Sequence, residues 1–178
     1  MRQQVRVALM VLVSVVLIVA VGCGEKEEET AAGPPEPANE DVQHAQALWE
    51  QISDYENWTE PEGFQGWQPG KSPHGAILRY YVNEEAEAGL TRDGAVIVKE
   101  NYSEESEDAI KSVTVMEKRA GYDPETKNWF YVKYSPEGKV LSNPKGKKLA
   151  GLVGKGGTKG CIPCHGSAGG DDYLFMND

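Results

Sequence analysis

Three residues whose types and spacing suit chemistry lie close together in the 178-residue chain: Cys161, Cys164 and His165. They form a C-x-x-C-H sequence, the attachment signature of c-type haem. In such a site the two thiols add across the vinyl groups of the porphyrin, and the adjoining imidazole ligates the iron. The motif therefore predicts haem c held by Cys161 and Cys164, with His165 as the proximal iron ligand.

Other uses of this spacing fit the chain less well. A structural zinc site needs about four ligands, and the chain has no second pair of cysteines near the motif. A thioredoxin-like redox pair belongs in a βαβ setting, whereas glycines surround this motif. The preceding segment, 144–160, contains five Lys and six Gly but lacks the Gly-Lys-Ser/Thr of a phosphate loop. We interpret it as a flexible approach to the motif, with guidance of an acidic partner as the alternative.

The start of the chain has the pattern of an export segment. Arg2 and Arg6 precede the uncharged run 7–21, in which only Ser14 interrupts the apolar residues. This order is typical of a secretory signal peptide, which we place over residues 1–22. The run is too short for a membrane-spanning helix, which needs about 20 residues.

The third cysteine directly follows that segment. Ala20-Val21-Gly22-Cys23 is similar to a bacterial lipobox, although Ala20 stands where Leu is usual. We expect Cys23 to be lipidated, so that acyl chains hold an exported, periplasmic or cell-surface protein on a membrane. Cleavage after Gly22 to release a soluble secreted protein is the alternative. Residues 23–40 are acidic and lack large apolar side chains, which predicts a solvated tether ahead of a folded domain over 41–178.

Composition and charge exclude further classes. The formal net charge is −10, from 28 Asp and Glu against 18 Lys and Arg, and such a chain repels nucleic acid. With 39% hydrophobic residues, its length favours one domain rather than a two-domain enzyme. Three cysteines are too few for a disulfide-stapled scaffold.

The spacing of apolar residues changes along the chain ahead of the motif, from helical to alternating. Asn39 is a suitable cap for a helix whose apolar residues recur at helical spacing as far as Tyr55. We interpret His44, within this helix, as a boundary side chain rather than a ligand. After a loop rich in Trp, Pro and Gly, β-branched and aromatic residues alternate in short runs. Strands are predicted at 76–82, 95–100, 111–119, 129–134 and 139–141, with a short helix in 83–90.

Consecutive strands without long helices between them imply an antiparallel sheet. The predicted fold class is α+β, mainly β, with an antiparallel sheet, an N-terminal helix and a C-terminal haem-binding helix or loop. Only thirteen residues follow His165, so we expect the haem to pack against elements that come earlier. Small cytochromes with an N-terminal motif and helical-bundle cytochromes both fail this pattern, which leaves a β-sheet cytochrome.

Over about residues 58–175 the chain resembles the cytochrome P-460 family, which includes the cytochromes c-prime-beta. The resemblance rests on the order and spacing of six segments: His74-Gly75, Arg79 to Asn83, Gly94 to Glu100, Val113 to Lys118, Trp129 to Tyr131, and the C-x-x-C-H motif followed by Asp171-Asp172. It implies a mostly antiparallel sheet, a homodimer, and a five-coordinate haem c with an open distal face. Some members oxidise hydroxylamine or bind nitric oxide.

The resemblance also implies roles for further residues. In hydroxylamine-oxidising members a lysine is joined covalently to the porphyrin, and Lys99 is the candidate by position. Strand alternation places Ala95, Ile97 and Lys99 on one face, so Lys99 points inward unless it lies at a strand end facing water. Active members use a distal carboxylate to move protons. The candidates for that role, each with surface solvation as its alternative, are Glu117, Asp123 and Glu125.

Three more side chains carry atoms that can ligate iron. Met116 lies on an alternating strand and is expected in the core. Met176 follows the proximal His165 too closely to reach the opposite side of the iron. His74, in a Ser-Pro-His-Gly turn, is expected to make a structural hydrogen bond rather than to ligate iron.

Together these patterns predict an exported, lipid-anchored monohaem cytochrome that binds or oxidises a small nitrogen species such as hydroxylamine or nitric oxide. Oxidation would also need a redox partner to accept electrons. The alternatives are a non-enzymatic nitric-oxide binder, an electron carrier, or a protein whose C-x-x-C-H motif binds another metal or nothing.

Overall fold

The computed structural model describes residues 39–177. The predicted signal peptide, Cys23 and the tether as far as residue 38 lie outside these residues, so their roles stay predictions. Within 39–177, no helix is both long enough and apolar enough to cross a bilayer.

Residues 39–177 fold into a six-stranded sheet with three α-helices. In chain order the helices are α1 (Glu40–Gln51), α2 (Glu84–Glu87) and α3 (Cys161–His165). The strands are β1 (Gln68–Pro69), β2 (Ile77–Val82), β3 (Val96–Tyr102), β4 (Ile110–Lys118), β5 (Trp129–Tyr134) and β6 (Ala150–Gly151). Short 3-10 turns join them at Tyr55–Asn57, Glu107–Ala109, Pro124–Thr126, Gly169–Asp171 and Phe175–Asn177.

Helix α1 begins where the sequence predicted. The side-chain oxygen of Asn39 accepts a hydrogen bond from the backbone N–H of Val42 at 3.0 Å, which satisfies one of the free donors of the first turn. Glu40 and Asp41 lie in that turn, where negative charge suits the helix dipole. The α-helix ends at Gln51, and the predicted helical spacing as far as Tyr55 continues only as a 3-10 turn.

The sheet is antiparallel, and each strand pairs with its neighbours in the chain in the order β1-β2-β3-β4-β5-β6. The predicted α+β, mainly β fold with an N-terminal helix is confirmed. The predicted strand at 139–141 is wrong, because Val140 forms only an isolated bridge with Tyr134. Turns lie on both sides of it, at 136–138 and 144–146, and the strand that pairs with β5 at this edge is the two-residue β6.

The two faces of the sheet bury different cores. One core lies beneath α1 and contains Leu48 of the helix with alternate residues of the central strands, among them Val98, Val113 and Phe130. The other core lies on the opposite side and contains Ile97, Tyr131 and Ile162 of α3. Because strand side chains alternate, residue parity along each strand decides which core a side chain enters.

Candidate functional site

A cavity of about 480 Å³ opens on the α3 side of the sheet. Its volume lies within the range of small-molecule and cofactor sites. The strands supply one wall, and the segments around α3 and the preceding loops supply the rest. The lining side chains are mostly apolar or aromatic, among them Phe64, Tyr80, Ile97, Tyr131, Leu149, Val153, Leu174 and Phe175.

Helix α3 brings the three motif residues to this cavity. Cys161, Cys164 and His165 all line its wall, with Cys161 half-buried and Cys164 exposed. Gly160 precedes the helix with φ of 131°, and a Cβ there would lie 2.8 Å from the carbonyl oxygen of Val153. Only glycine fits this close approach, which sets the direction in which the chain enters α3.

The imidazole of His165 is oriented for metal ligation. Its Nδ1 lies 2.9 Å from the carbonyl oxygen of Tyr173, and a carbonyl can only accept, so Nδ1 carries the hydrogen. Nε2 therefore keeps its lone pair, the arrangement in which a histidine binds a metal. Burial lowers the pKa of His165 below its usual value, which favours the neutral ring.

The cavity wall also contains a polar atom without a protein partner. The hydroxyl of Tyr131 is buried and makes no hydrogen bond within the described residues. Leaving a buried hydroxyl unpaired costs about 1–3 kcal/mol, so an occupant with acceptor atoms would be favoured. A haem offers carboxylate acceptors, an apolar ring for the aromatic wall, and an iron for Nε2 of His165. The residues present fit this group.

Lys99 lies in the same wall, as the strand alternation predicted. It is paired across the sheet with Tyr80 and Thr114, and its Nζ lies 5.6 Å from the centre of the Tyr80 ring. Burial lowers the pKa of Lys99 to about 8, an effect that the charge of Lys133 reinforces. Its covalent link to the porphyrin stays a prediction.

His74 makes the structural hydrogen bond that the sequence predicted, and it lines the cavity as well. Its Nδ1 lies 3.0 Å from Oδ1 of Asn101, and its ring centre lies 6.4 Å from that of His165. Burial, followed by the charge of Lys99, lowers the pKa of His74 to about 3. Asn101 was missed in the sequence, although it continues the alternation of Ile97 and Lys99 by one more step.

The three carboxylates considered for proton transfer lie elsewhere. Glu117 directly follows Met116 on β4, so its side chain lies on the other face of the sheet. There it pairs with His44 of α1. Asp123 and Glu125 both bind Lys155, at 2.6 Å and 2.9 Å. Among the described residues, no Asp or Glu lines the cavity.

Met116 and Met176 both border the cavity. Met116 packs against the core on this side and lines the wall, as does Met176. Within residues 39–177, no three His, Cys, Asp or Glu side chains are grouped as ligands of one metal ion.

The comparisons with known proteins agree with this geometry. A family model described as Cytochrome P460 matches residues 52–176. No curated protein matches the chain. The matched residues include the central strands of the sheet, the cavity wall and the C-x-x-C-H motif, and they make up well over half of the sequence. The chain belongs to the cytochrome P460 family.

Proposed function

We propose that the protein is an exported monohaem c-type cytochrome whose iron binds a small nitrogen species such as nitric oxide or hydroxylamine. The orientation of His165 carries the proposal, because the Tyr173 carbonyl fixes its hydrogen on Nδ1 and leaves Nε2 free at the cavity wall. Cys161 and Cys164 lie in the same short helix, in the spacing that holds haem through two thioethers.

The bound haem supplies an iron that exchanges electrons and binds small ligands. The chain supplies the surroundings. Cys161 and Cys164 would hold the porphyrin, and Nε2 of His165 would bind the iron. The apolar wall excludes water, the Tyr131 hydroxyl offers a hydrogen bond, and Lys99 places a positive charge beside the site.

The cavity supports binding of a nitrogen species rather than its oxidation. Hydroxylamine oxidation releases protons, which a positioned acceptor must take up. The carboxylates Glu117, Asp123 and Glu125 are held in ion pairs outside the cavity wall. Because the described residues of the wall include no carboxylate acceptor, we favour a nitric-oxide-binding protein over a hydroxylamine oxidase.

Electron transfer is the second candidate, and the exposure of Cys164 favours it. A haem held by a thioether at the exposed Cys164 would be accessible to a redox partner on that side. Lys133 and Lys159 border the same cavity, and their charge would attract an acidic partner.

The test uses the full-length chain produced in a bacterium that attaches c-type haem. We expect a mass increase of one haem and a pyridine haemochrome spectrum of the thioether type. The ferrous protein should bind nitric oxide and should not turn over hydroxylamine with an added electron acceptor. Sustained hydroxylamine oxidation would overturn the binding assignment.

The three cysteines provide matched variants. Cys161→Ser and Cys164→Ser should each lose one thioether, and the double variant should lose covalent haem. Cys23→Ser should keep the haem but move the protein from the membrane fraction to the soluble exported fraction. Covalent haem that survives the double variant would contradict the attachment, and an unchanged membrane fraction would contradict the lipid anchor.

A further inference from the structure

We propose that the cavity also binds nitrite, an anionic nitrogen species, and that the ammonium of Lys99 is the group that attracts it. The inference rests on the function proposed above and deepens it, because it names a charged member of the same class of small ligands. It requires the open iron site that the family resemblance implies.

The charges of the cavity wall carry the proposal. Lys99, Lys133 and Lys159 all line the cavity, and among the described residues no Asp or Glu does. None of the three lysines forms a salt bridge within residues 39–177. The chain has 28 Asp and Glu against 18 Lys and Arg, so carboxylates are plentiful elsewhere. Three cations at one cavity without a carboxylate favour an anionic occupant.

Lys99 is the one of these cations that the central strands hold. It is half-buried in the middle of β3, and its Nζ lies 5.6 Å from the centre of the Tyr80 ring, which lines the same wall. Burial is the main cause that lowers the pKa of His165, and the charge of Lys99 adds to that shift. The ammonium therefore lies close enough to the proposed iron ligand for its charge to act there.

The ammonium of Lys99 lacks the partner that a buried charge needs. Taking an ammonium out of water is costly unless an opposite charge or a hydrogen-bond acceptor replaces the lost water. Within residues 39–177, Nζ of Lys99 contacts the ring of Tyr80 but no carboxylate. An anion in the cavity would supply both the opposite charge and the acceptor.

The carboxylates of a bound haem do not use up these charges. A haem brings two propionate groups, whereas three lysines line the cavity. Lys133, whose Nζ donates to the Pro73 carbonyl at 3.4 Å, and the exposed Lys159 are enough to pair with both propionates. Lys99 is then left for a small anion, and the positive charge of ferric iron adds to its attraction.

Nitrite is the small nitrogen ligand whose chemistry suits such a site. It is an anion at neutral pH, whereas nitric oxide and hydroxylamine are uncharged there. Its oxygens can accept a hydrogen bond from the ammonium of Lys99, which is the strong, charge-assisted kind. Binding transfers no electron and no proton, because nitrite keeps its charge and Lys99 keeps its hydrogens.

The test titrates the full-length ferric haem protein with sodium nitrite, and separately with nitric oxide, and follows the visible spectrum. Lys99→Met should weaken nitrite binding about 10- to 100-fold, the loss expected for one charge-assisted hydrogen bond. The ratio of nitrite affinity to nitric oxide affinity should fall with it. Lys99→Arg keeps the positive charge and should keep most of the nitrite affinity. Equal nitrite affinities in the wild type and Lys99→Met would overturn the proposal.

Two other lysines provide matched variants. Lys111→Met should bind nitrite as the wild type does, because Lys111 is exposed on β4 and does not line the cavity. Lys133→Met tests which cation the anion uses, and it should lower the nitrite affinity less than Lys99→Met. A larger loss in Lys133→Met would contradict the assignment to Lys99.

The outcomes separate this inference from the proposed function. A protein without covalent haem would overturn both. A haem protein that binds nitric oxide, but whose nitrite affinity does not depend on Lys99, would overturn the anion site alone. A digest that yields a haem-bearing peptide containing Lys99 would also overturn the anion site, because a cross-linked nitrogen leaves no free ammonium.

Discussion

The hydroxyl of Tyr102 donates a 2.8 Å hydrogen bond to the carboxylate of Glu100 inside the core beneath α1. Tyr55 and Tyr81 donate to the same carboxylate at 2.9 Å and 3.2 Å. Glu100 is 3% exposed, so three phenols stabilise one buried acid. Burial, followed by the hydrogen bond to Glu100, raises the pKa of Tyr102 well above its usual value.

Glu100→Leu should lower the free energy of unfolding by about 3 kcal/mol, because it leaves buried tyrosine hydroxyls without an acceptor. Glu100→Gln keeps an acceptor oxygen and should lose less. Denaturant unfolding of the haem protein would measure both values. A Leu variant as stable as the wild type would contradict the importance of this cluster, and an unchanged haem spectrum would show that the cavity side is unaffected.

The charge of Lys99 should make the reduction potential of the haem depend on pH. A positive charge beside the iron favours the ferrous state, and this charge is lost as pH rises through the Lys99 pKa of about 8. The potential should therefore fall between neutral and alkaline pH. Lys99→Met should give a lower potential at neutral pH with a flatter pH dependence, measured by spectroelectrochemical titration.

Lys111→Met is the control for this titration, because Lys111 is exposed on β4 and does not line the cavity. A cross-linked Lys99 has a different signature. Its nitrogen would no longer titrate as a free amine, and a digest would yield a haem-bearing peptide containing Lys99. A potential that is independent of pH, without such a peptide, would contradict a charged Lys99 beside the iron.

Lys155 should contribute stability that disappears in acid. Its hydrogen bond to Asp123 is the main cause that lowers the pKa of that carboxyl. A depressed carboxyl pKa stabilises the fold above the unfolded value of about 4 and ceases to do so as pH falls through the folded value. Lys155→Met should lower the melting temperature at neutral pH, and the difference from wild type should vanish in strong acid.

Lys145→Met is the matched control for this pair, because Lys145 lies exposed in the same lysine-rich segment and forms no salt bridge within the described residues. Thermal unfolding across a pH series compares the three proteins. A difference between wild type and Lys155→Met that persists unchanged at low pH would exclude the ion pair as its cause.

Gly75→Ala should loosen His74 without touching the imidazole itself. The added Cβ would meet the backbone of Tyr102, which must push the turn away from β3. We expect the clash to weaken the hydrogen bond between His74 and Asn101 and to lower the free energy of unfolding by about 2 kcal/mol, measured by denaturant unfolding of the haem protein. Gly89→Ala is a suitable control, because its Cβ would meet only the flexible side chain of Arg92 at 3.2 Å. Equal free energies of unfolding for the two variants would contradict a positioned His74.

Much of this architecture could be predicted because its periodic segments are long. Alternation over β3 was enough to put Lys99 on the same side as Ile97, and an Asn39 cap followed by helical spacing was enough to place α1. The edge strands β1 and β6 have two residues each, too few for any period to show.

The remainder of the site depends on contacts that no local pattern encodes. The hydrogen bond between His74 and Asn101 joins residues 27 positions apart, and its existence depends on how closely the Gly75 backbone approaches β3. The position of Glu117, by contrast, follows from the sequence. It is adjacent to Met116 on β4, so strand alternation directs its side chain away from the cavity. For Asp123 the deciding partner, Lys155, is 32 positions away.

The sheet separates one core that is complete in protein side chains from one whose wall surrounds a cavity. The backbone amides of β3 and β4, which lie beneath α1, should therefore exchange hydrogen most slowly. When no haem is attached, the amides around α3 should exchange fastest. A chain without haem should therefore keep the core beneath α1 folded, while the segments around Cys161 and Cys164 open more readily. Haem attached as proposed would fill the cavity and complete the packing on the α3 side of the sheet.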